Sequence, residues 1–207
     1  MMGNILLVGA RASGKSAVGR RAAQQLGSGW RFLEMDQALV ERLGMSIPQF
    51  FATRGEAAFR EAERALLGEI ARGDHQIVAC GGGVAGTAES LAAARAAGTL
   101  VWLDAPVADL IARRLADPDE GARPALLASL AALKAQDLEA YLHVEVPTIL
   151  ERRRACYAQA DYTIATAGLE LDRVAQIVAC LASCEGLTGP GRRAASARGR
   201  GQGIRRR

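Results

Sequence analysis

Lysine is nearly missing from this chain: Lys15 and Lys134 stand alone against a large excess of arginine. Long apolar runs are missing too. None approaches the ~20 residues that a membrane-crossing helix needs, so no membrane partner is expected. The N-terminus lacks the charged-then-apolar pattern of a signal peptide, and a cytoplasmic protein is expected. Four cysteines, Cys80, Cys156, Cys180 and Cys184, have no paired metal-ligand spacing. Cys180 and Cys184 lie four apart on the apolar stretch IVACLASC, and the thiols are read as buried and free in preference to a disulfide or metal site. There is no internal repeat. What remains is a chain of 207 residues, 50% hydrophobic, long enough to bury one core as a single domain.

The net charge of +4 needs to be located before it is used. From Gly186 onward the chain has seven arginines and no acid, so residues 1–185 carry −3 once these are set aside. The stretch GPGRRAASARGRGQGIRRR has too few apolar residues to fold. The expected organisation is one domain over 1–185 and a disordered basic tail over 186–207. The tail is read as a solvated extension, with RNA or an acidic partner as the alternative; the mildly acidic body is not a nucleic-acid binder by charge.

The body opens on a strand, Asn4 to Val8, followed by GARASGKS from Gly9 to Ser16. The segment KSAVGRRAAQQLG then has helical spacing and closes on Gly27. Strand, glycine-bounded loop and helix in this order form a phosphate cradle. Gly9 and Gly14 let successive backbone N–H groups converge on phosphate oxygens, and the helix start adds its own N–H groups and its positive dipole end. Lys15 can reach the β- and γ-phosphates, and the Ser16 hydroxyl can ligate Mg²⁺. In a chain so poor in lysine, one stands where a compact ammonium suits a phosphate site.

Four more strands are read at Trp30–Met35, Gln76–Cys80, Thr99–Asp104 and Tyr162–Thr166, with helical patterns between them. Continuous apolar strands alternating with helices predict an α/β fold with a five-stranded parallel sheet flanked by helices. Ligands in such sheets bind beyond the C-terminal strand ends. The less regular stretch from about 116 to 146 suits a lid with a helical part. Strand two delivers Glu34 and Asp36, two carboxylates pointing the same way. One could organise Mg²⁺ and the other engage an acceptor hydroxyl; alternatively Asp36 caps the next helix and Glu34 is solvated. Strand three delivers Gly81, Gly82 and Gly83, either a bare backbone for close ligand approach or a flexible turn. Arg60 and Glu63, three apart in FREAE, are either a carboxylate clamp with its partner or a surface helix pair.

The motifs GARASGKS, LEMD, GEAAFREAE, CGGGV and ARPALL, in this order and spacing, resemble those of the shikimate kinase family over roughly residues 3–183. The resemblance implies a P-loop kinase fold and Mg²⁺-dependent transfer of the γ-phosphoryl group of ATP to the 3-hydroxyl of shikimate. It implies Lys15, Asp36 and Arg123 as catalytic residues, with Asp36 as base or orienting group. The nucleotide would meet Gly9, Ala12, Gly14, Lys15, Ser16, Ala17, Arg114 and Arg123, and the metal Ser16 and Glu34. Shikimate would meet Asp36, Phe59, Arg60, Glu63, Gly81, Gly82, Gly83 and Arg153, with Arg60 and Arg153 gripping its carboxylate. A monomer is implied. This chain departs from the family pattern at Glu34, where an aspartate is usual, in the longer span from Arg123 to Arg153, and in RRACY, where Tyr157 sets the register. A kinase of another small hydroxy acid and a non-catalytic ligand-sensing module, a class that often carries a glutamate as that first acid, are the alternative readings.

Overall fold

The computed structural model describes residues 3–121, 123–185 and 204–206. Five parallel strands form the sheet: β1 (Ile5–Val8), β2 (Arg31–Glu34), β3 (Gln76–Ala79), β4 (Thr99–Asp104) and β5 (Tyr162–Ala165). All five strands read from the sequence are present, trimmed at most by a residue or two at their ends. Their order is β2-β3-β1-β4-β5, so the phosphate-loop strand β1 sits in the middle.

Side-chain alternation explains why the strands read as unbroken apolar runs. Leu6, Val8, Val78, Leu100 and Trp102 join one buried cluster, while Ile5, Leu7, Ile77, Val101 and Leu103 join the other. The second cluster is closed by α1 (Lys15–Leu26) and α8 (Leu171–Glu185). The first is covered by α2 (Met35–Leu43), α3 (Ile47–Ile70), α4 (Ala88–Ala97), α5 (Val107–Leu115) and α7 (Leu138–Tyr157). A sheet buried on both faces has no polar side to show in its sequence.

Helix α3 starts with a full capping box between Ser46 and Gln49 and is interrupted at Gly55, where φ 79° and ψ 174° break the helix. The second part, from Gly55 onward, carries the GEAAFREAE motif in one of the helical patterns expected between strands two and three. Between Ala116 and Val146 the chain forms turns, a short 3₁₀ turn at Ala128–Leu130, α6 (Ala131–Gln136) and the first turns of α7. The long span from Arg123 to Arg153 is therefore filled by helix.

Two expectations are corrected. Cys80 is buried and Cys156 half-buried, but Cys180 and Cys184 are free and exposed. On α8 the inward positions are taken by Val174, Ala175, Val178 and Ala182, which leaves both thiols on the outer side. A short sixth strand, β6 (Ile204–Arg206), also pairs antiparallel with β5 at the sheet edge. The sequence reading places these residues in the disordered tail; an open strand edge supplies pairing that a polar segment does not announce. The rest of that tail, 186–203 and 207, lies outside the described residues.

Candidate active site

A cavity of about 580 Å³ opens at the C-terminal ends of β1, β2 and β3. Of the residues expected at a site, Ala12, Lys15, Ser16, Glu34, Asp36, Phe59, Arg60, Glu63, Gly82, Gly83, Arg114, Arg123 and Arg153 line it. Gly9, Gly14 and Ala17 lie on the same loop and helix start without lining it, and Gly81 touches it through Asp36. The expected set is thus brought to one place.

The floor is the phosphate loop. Gly14 stands at φ 93° as the N-cap of α1, so the helix begins at Lys15 and its first N–H groups face the cavity. Lys15 Nζ donates to the carbonyls of Gly9 at 3.0 Å and Ala10 at 2.7 Å. Burial pushes this ammonium down to about 8, against the opposing pull of Asp36. Ala12 takes φ 65°, a left-handed conformation that costs an L-residue about 1 kcal/mol.

The wall opposite the loop is built from β2, β3, α3 and α7. Glu34, not Asp36, is the N-cap of α2, and it makes no side-chain cap bond. Asp36 sits in the first helical turn, reached by solvent through the cavity mouth but surrounded by enough protein that desolvation pushes its carboxyl up. A Cβ at Gly81 would overlap Asp36 Oδ1, and one at Gly83 would overlap the Arg60 guanidinium. The glycine run is therefore packed against the Asp36 and Arg60 side chains and is not a free turn. Arg60 Nη1 donates to Glu63 Oε2 at 2.5 Å, and Nη2 to Glu56 Oε1 at 3.0 Å. Glu63 is only 1% exposed, so this pair is no surface ornament; burial pushes the Glu63 carboxyl up despite Arg60. Phe59 lies buried under the Arg60 guanidinium, 5.7 Å from its ring centroid. Arg153 donates from Nη1 to the Gly82 carbonyl, while Arg152 and Arg154 point into solvent. Two guanidiniums and one carboxylate thus face the space above the glycines.

The rim is charged. Arg123 Nη1 lies 2.8 Å from Asp117 Oδ2. Arg114 is buried, with Nη2 2.5 Å from Glu120 Oε1 and Nη1 2.8 Å from Glu145 Oε2. The second lysine, Lys134, donates to the carbonyls of Glu120 and Arg123. Sequence reasoning names Arg114 and Arg123 but misses Glu120, Glu145, Lys134 and the loop residue Arg11, whose Nη1 lies 3.4 Å from Glu120 Oε1. A cation inside GARASGKS was a signal available to be read. Glu120 in DPDEG was not, because an acid among turn residues looks solvated. Cys80 also lines the cavity, where burial pushes its thiol up to about 12 and leaves it inert.

The chain is similar to known proteins along most of its length. The sequence pattern of the family described as shikimate kinase matches residues 11–182. The shikimate kinase of Persephonella marina is 32% identical over 81% of this chain and 91% of its own. That of Nitratidesulfovibrio vulgaris is 37% identical over 75% of this chain and 82% of its own. The solved structure of the Acinetobacter baumannii shikimate kinase in complex with shikimate superposes with a TM-score of 0.72 at 29% identity, covering 91% of this chain and 97% of that one. The fold is the α/β P-loop kinase fold, here with one added edge strand. This chain belongs to the shikimate kinase family.

Proposed function

We propose that the protein transfers the γ-phosphoryl group of ATP to the 3-hydroxyl of shikimate. One observation carries the reading: a phosphate loop with its lysine and a pocket bearing Arg60, Arg153 and Asp36 face each other across a single cavity. A planar carboxylate fits two arginine forks, and an acceptor hydroxyl beside it falls near Asp36 and the loop.

The placement supports the following roles. Lys15 and the loop N–H groups, with Gly9, Ala12, Gly14 and Ala17 shaping the turn, would hold the phosphates. Lys15 would exchange its bonds to Gly9 and Ala10 for phosphate oxygens. Arg60 and Arg153 would hold the shikimate carboxylate, with Glu63 keeping the Arg60 fork aimed and Phe59 beneath it. Gly81, Gly82 and Gly83 would admit the ring against bare backbone. Asp36 would orient the 3-hydroxyl and take its proton as a new bond forms from that oxygen to the γ-phosphorus. The old bond to the bridging oxygen breaks, and its electron pair leaves with ADP. Arg123 would neutralise charge on the phosphate oxygens, and Arg114 would border the nucleotide.

Ser16 and Glu34 offer a hydroxyl and a carboxylate at the cavity, hard oxygen donors that suit Mg²⁺ in company with phosphate oxygens and water. Among the described residues no group of three or more His, Cys, Asp or Glu could hold a metal, so the nucleotide would complete the shell. When bound, the ion neutralises developing charge on the transferred group.

The test is ADP release by the purified protein with MgATP, with and without shikimate. Strong shikimate-dependent turnover is expected. ATP binding without it would overturn the acceptor assignment.

A further inference from the structure

Around Glu120 the structure gathers four cations, one of them from the phosphate loop. Its carboxylate is fully buried and has four cations about it: Arg114 at 2.5 Å, Arg11 at 3.4 Å, Arg123 at 3.7 Å and Lys134 at 3.9 Å. Exposure and their other partners sort these cations by commitment. Arg114 is 4% exposed and shared between Glu120 and Glu145, so its charge is spent inside the protein. Lys134 is 7% exposed and donates to two carbonyls, bracing the turn that carries Glu120 and Arg123. Arg11 and Arg123 are 27% and 41% exposed and both line the cavity; Arg11 is held only at 3.4 Å from Glu120, while Arg123 is held at its other side by Asp117 at 2.8 Å. Arg114 engages only Oε1 of Glu120, and the buried Oε2 has no hydrogen-bond partner among the described residues, so the carboxylate draws Arg11 and Arg123 toward it without consuming them.

Arg11 differs from Arg123 in where it stands. It belongs to the phosphate loop, between Ala10 and Ala12, and its influence reaches the acceptor side. Desolvation dominates at the Asp36 carboxyl, but Lys15 and then Arg11 pull it back down. Arg11, which faces Glu120, lines one cavity with Lys15 and Asp36 and so borders the space between the phosphate loop and the acceptor wall. Among the described residues, Glu120 is the one carboxylate that pairs with Arg11.

We propose that Arg11 is a second loop cation for the transferred phosphoryl group, and that the buried Glu120 is the positioning residue that pairs it with Arg123. The proposal rests on the nucleotide half of the reading above and not on the identity of the acceptor. Arg11 would fork onto γ-phosphate oxygens that Lys15 does not reach, and would matter most as charge redistributes during transfer.

The test compares wild type, Arg11→Gln and Arg11→Lys, with Mg²⁺ present. Calorimetric titration with ADP and with the non-transferable analogue AMP-PNP needs no acceptor, so it stands even if shikimate is not the substrate. Arg11→Gln is expected to weaken AMP-PNP by about 10-fold while leaving ADP within about two-fold. With shikimate as acceptor, kcat is expected to fall about 10-fold or more with the shikimate KM little changed, and Arg11→Lys to recover part of both losses. Glu120→Gln should lower kcat in the wild-type background and much less in Arg11→Gln. If Glu120→Gln does not fold, the Arg11 pair still decides. Equal weakening of ADP and AMP-PNP, or kcat within about two-fold of wild type, overturns the proposal.

Discussion

Asp36 and Arg60 border one cavity but are asked to do different things, and their substitutions should separate. Asp36→Asn keeps the size of the side chain and removes the proton acceptor. Turnover is expected to fall by a factor on the order of 10²–10⁴ while nucleotide binding survives. Arg60→Ala removes a carboxylate grip, so the shikimate KM should rise most. Steady-state kinetics with both substrates varied would show the split, and an equal loss of ATP and shikimate affinity in both variants would defeat it. Lys15 offers a second handle. Burial holds its ammonium down at about 8 against an ordinary 10.5. Because the folded value lies below the unfolded one, its burial penalty is fully present below pH 8 and is relieved as pH rises from 8 toward 10.5. Bound phosphate restores the charge. MgATP binding at about pH 8.5 is therefore expected to take up a fraction of a proton, and binding well below pH 8 to take up none from this group. Calorimetry in buffers of different ionisation enthalpy measures this; Lys15→Arg should abolish the uptake. A smaller prediction concerns Ala12, held at φ 65°. Ala12→Gly should stabilise the protein by up to about 1 kcal/mol in denaturant titration, since glycine enters that conformation freely.

Secondary-structure elements were more legible than side-chain networks, because each obeys a local rule. Helix α1 begins at Lys15 and ends on Gly27 as its spacing and capping residue predict. Helix α3 is the instructive mixed case. The sequence marks its second half as a long helix near Gly55 and its first half only as part of the helical region after β2, because IPQFFATR joins it through a non-helical glycine. At φ 79° and ψ 174° Gly55 occupies a region essentially closed to residues with a Cβ. Gly55→Ala is expected to destabilise the fold by about 1–3 kcal/mol, and thermal unfolding would register the loss. No atom lies within 4 Å of the position a Cβ would take, so the cost would be backbone strain and not a clash. The lid stretch was legible only as irregular with a helical part. The structure supplies the reason: its helices are held by buried polar side chains. Glu145 Oε1 accepts from the Leu126 N–H at 2.7 Å, and Lys134 holds two carbonyls across the turn. Apolar periodicity carries no trace of such contacts.

At the scale of the whole molecule, the phosphate loop, Asp36 and the glycine run converge because they sit just beyond strand ends that a parallel sheet gathers along one edge, while Phe59, Arg60, Glu63, Arg114 and Arg153 reach the same cavity from α3, α5 and α7. That convergence was readable from motif order alone. What escaped reading depends on distance in the chain. Glu120 joins Arg11 across 109 positions, and β6 joins β5 from beyond a long polar stretch. The same sheet order predicts how the molecule tolerates losing its tail. Strand β6 is separated from β1 by β4 and β5, so its pairing is remote from the phosphate loop and the acceptor wall. A chain ending at Glu185 loses seven arginines and β6 together. Its kcat and KM values with MgATP and shikimate are expected to stay within about two-fold of the full chain, because no cavity-lining residue is removed. The exposed edge of β5 then lacks its three-residue partner, and a lost stabilisation of about 1 kcal/mol lowers Tm by about 2–4 °C in a protein of this size. Turnover that collapses on truncation would mean that the basic segment acts at the site. Unchanged turnover with an unchanged Tm would mean that β6 adds nothing to the sheet, and that residues 1–185 fold and act as the complete working unit.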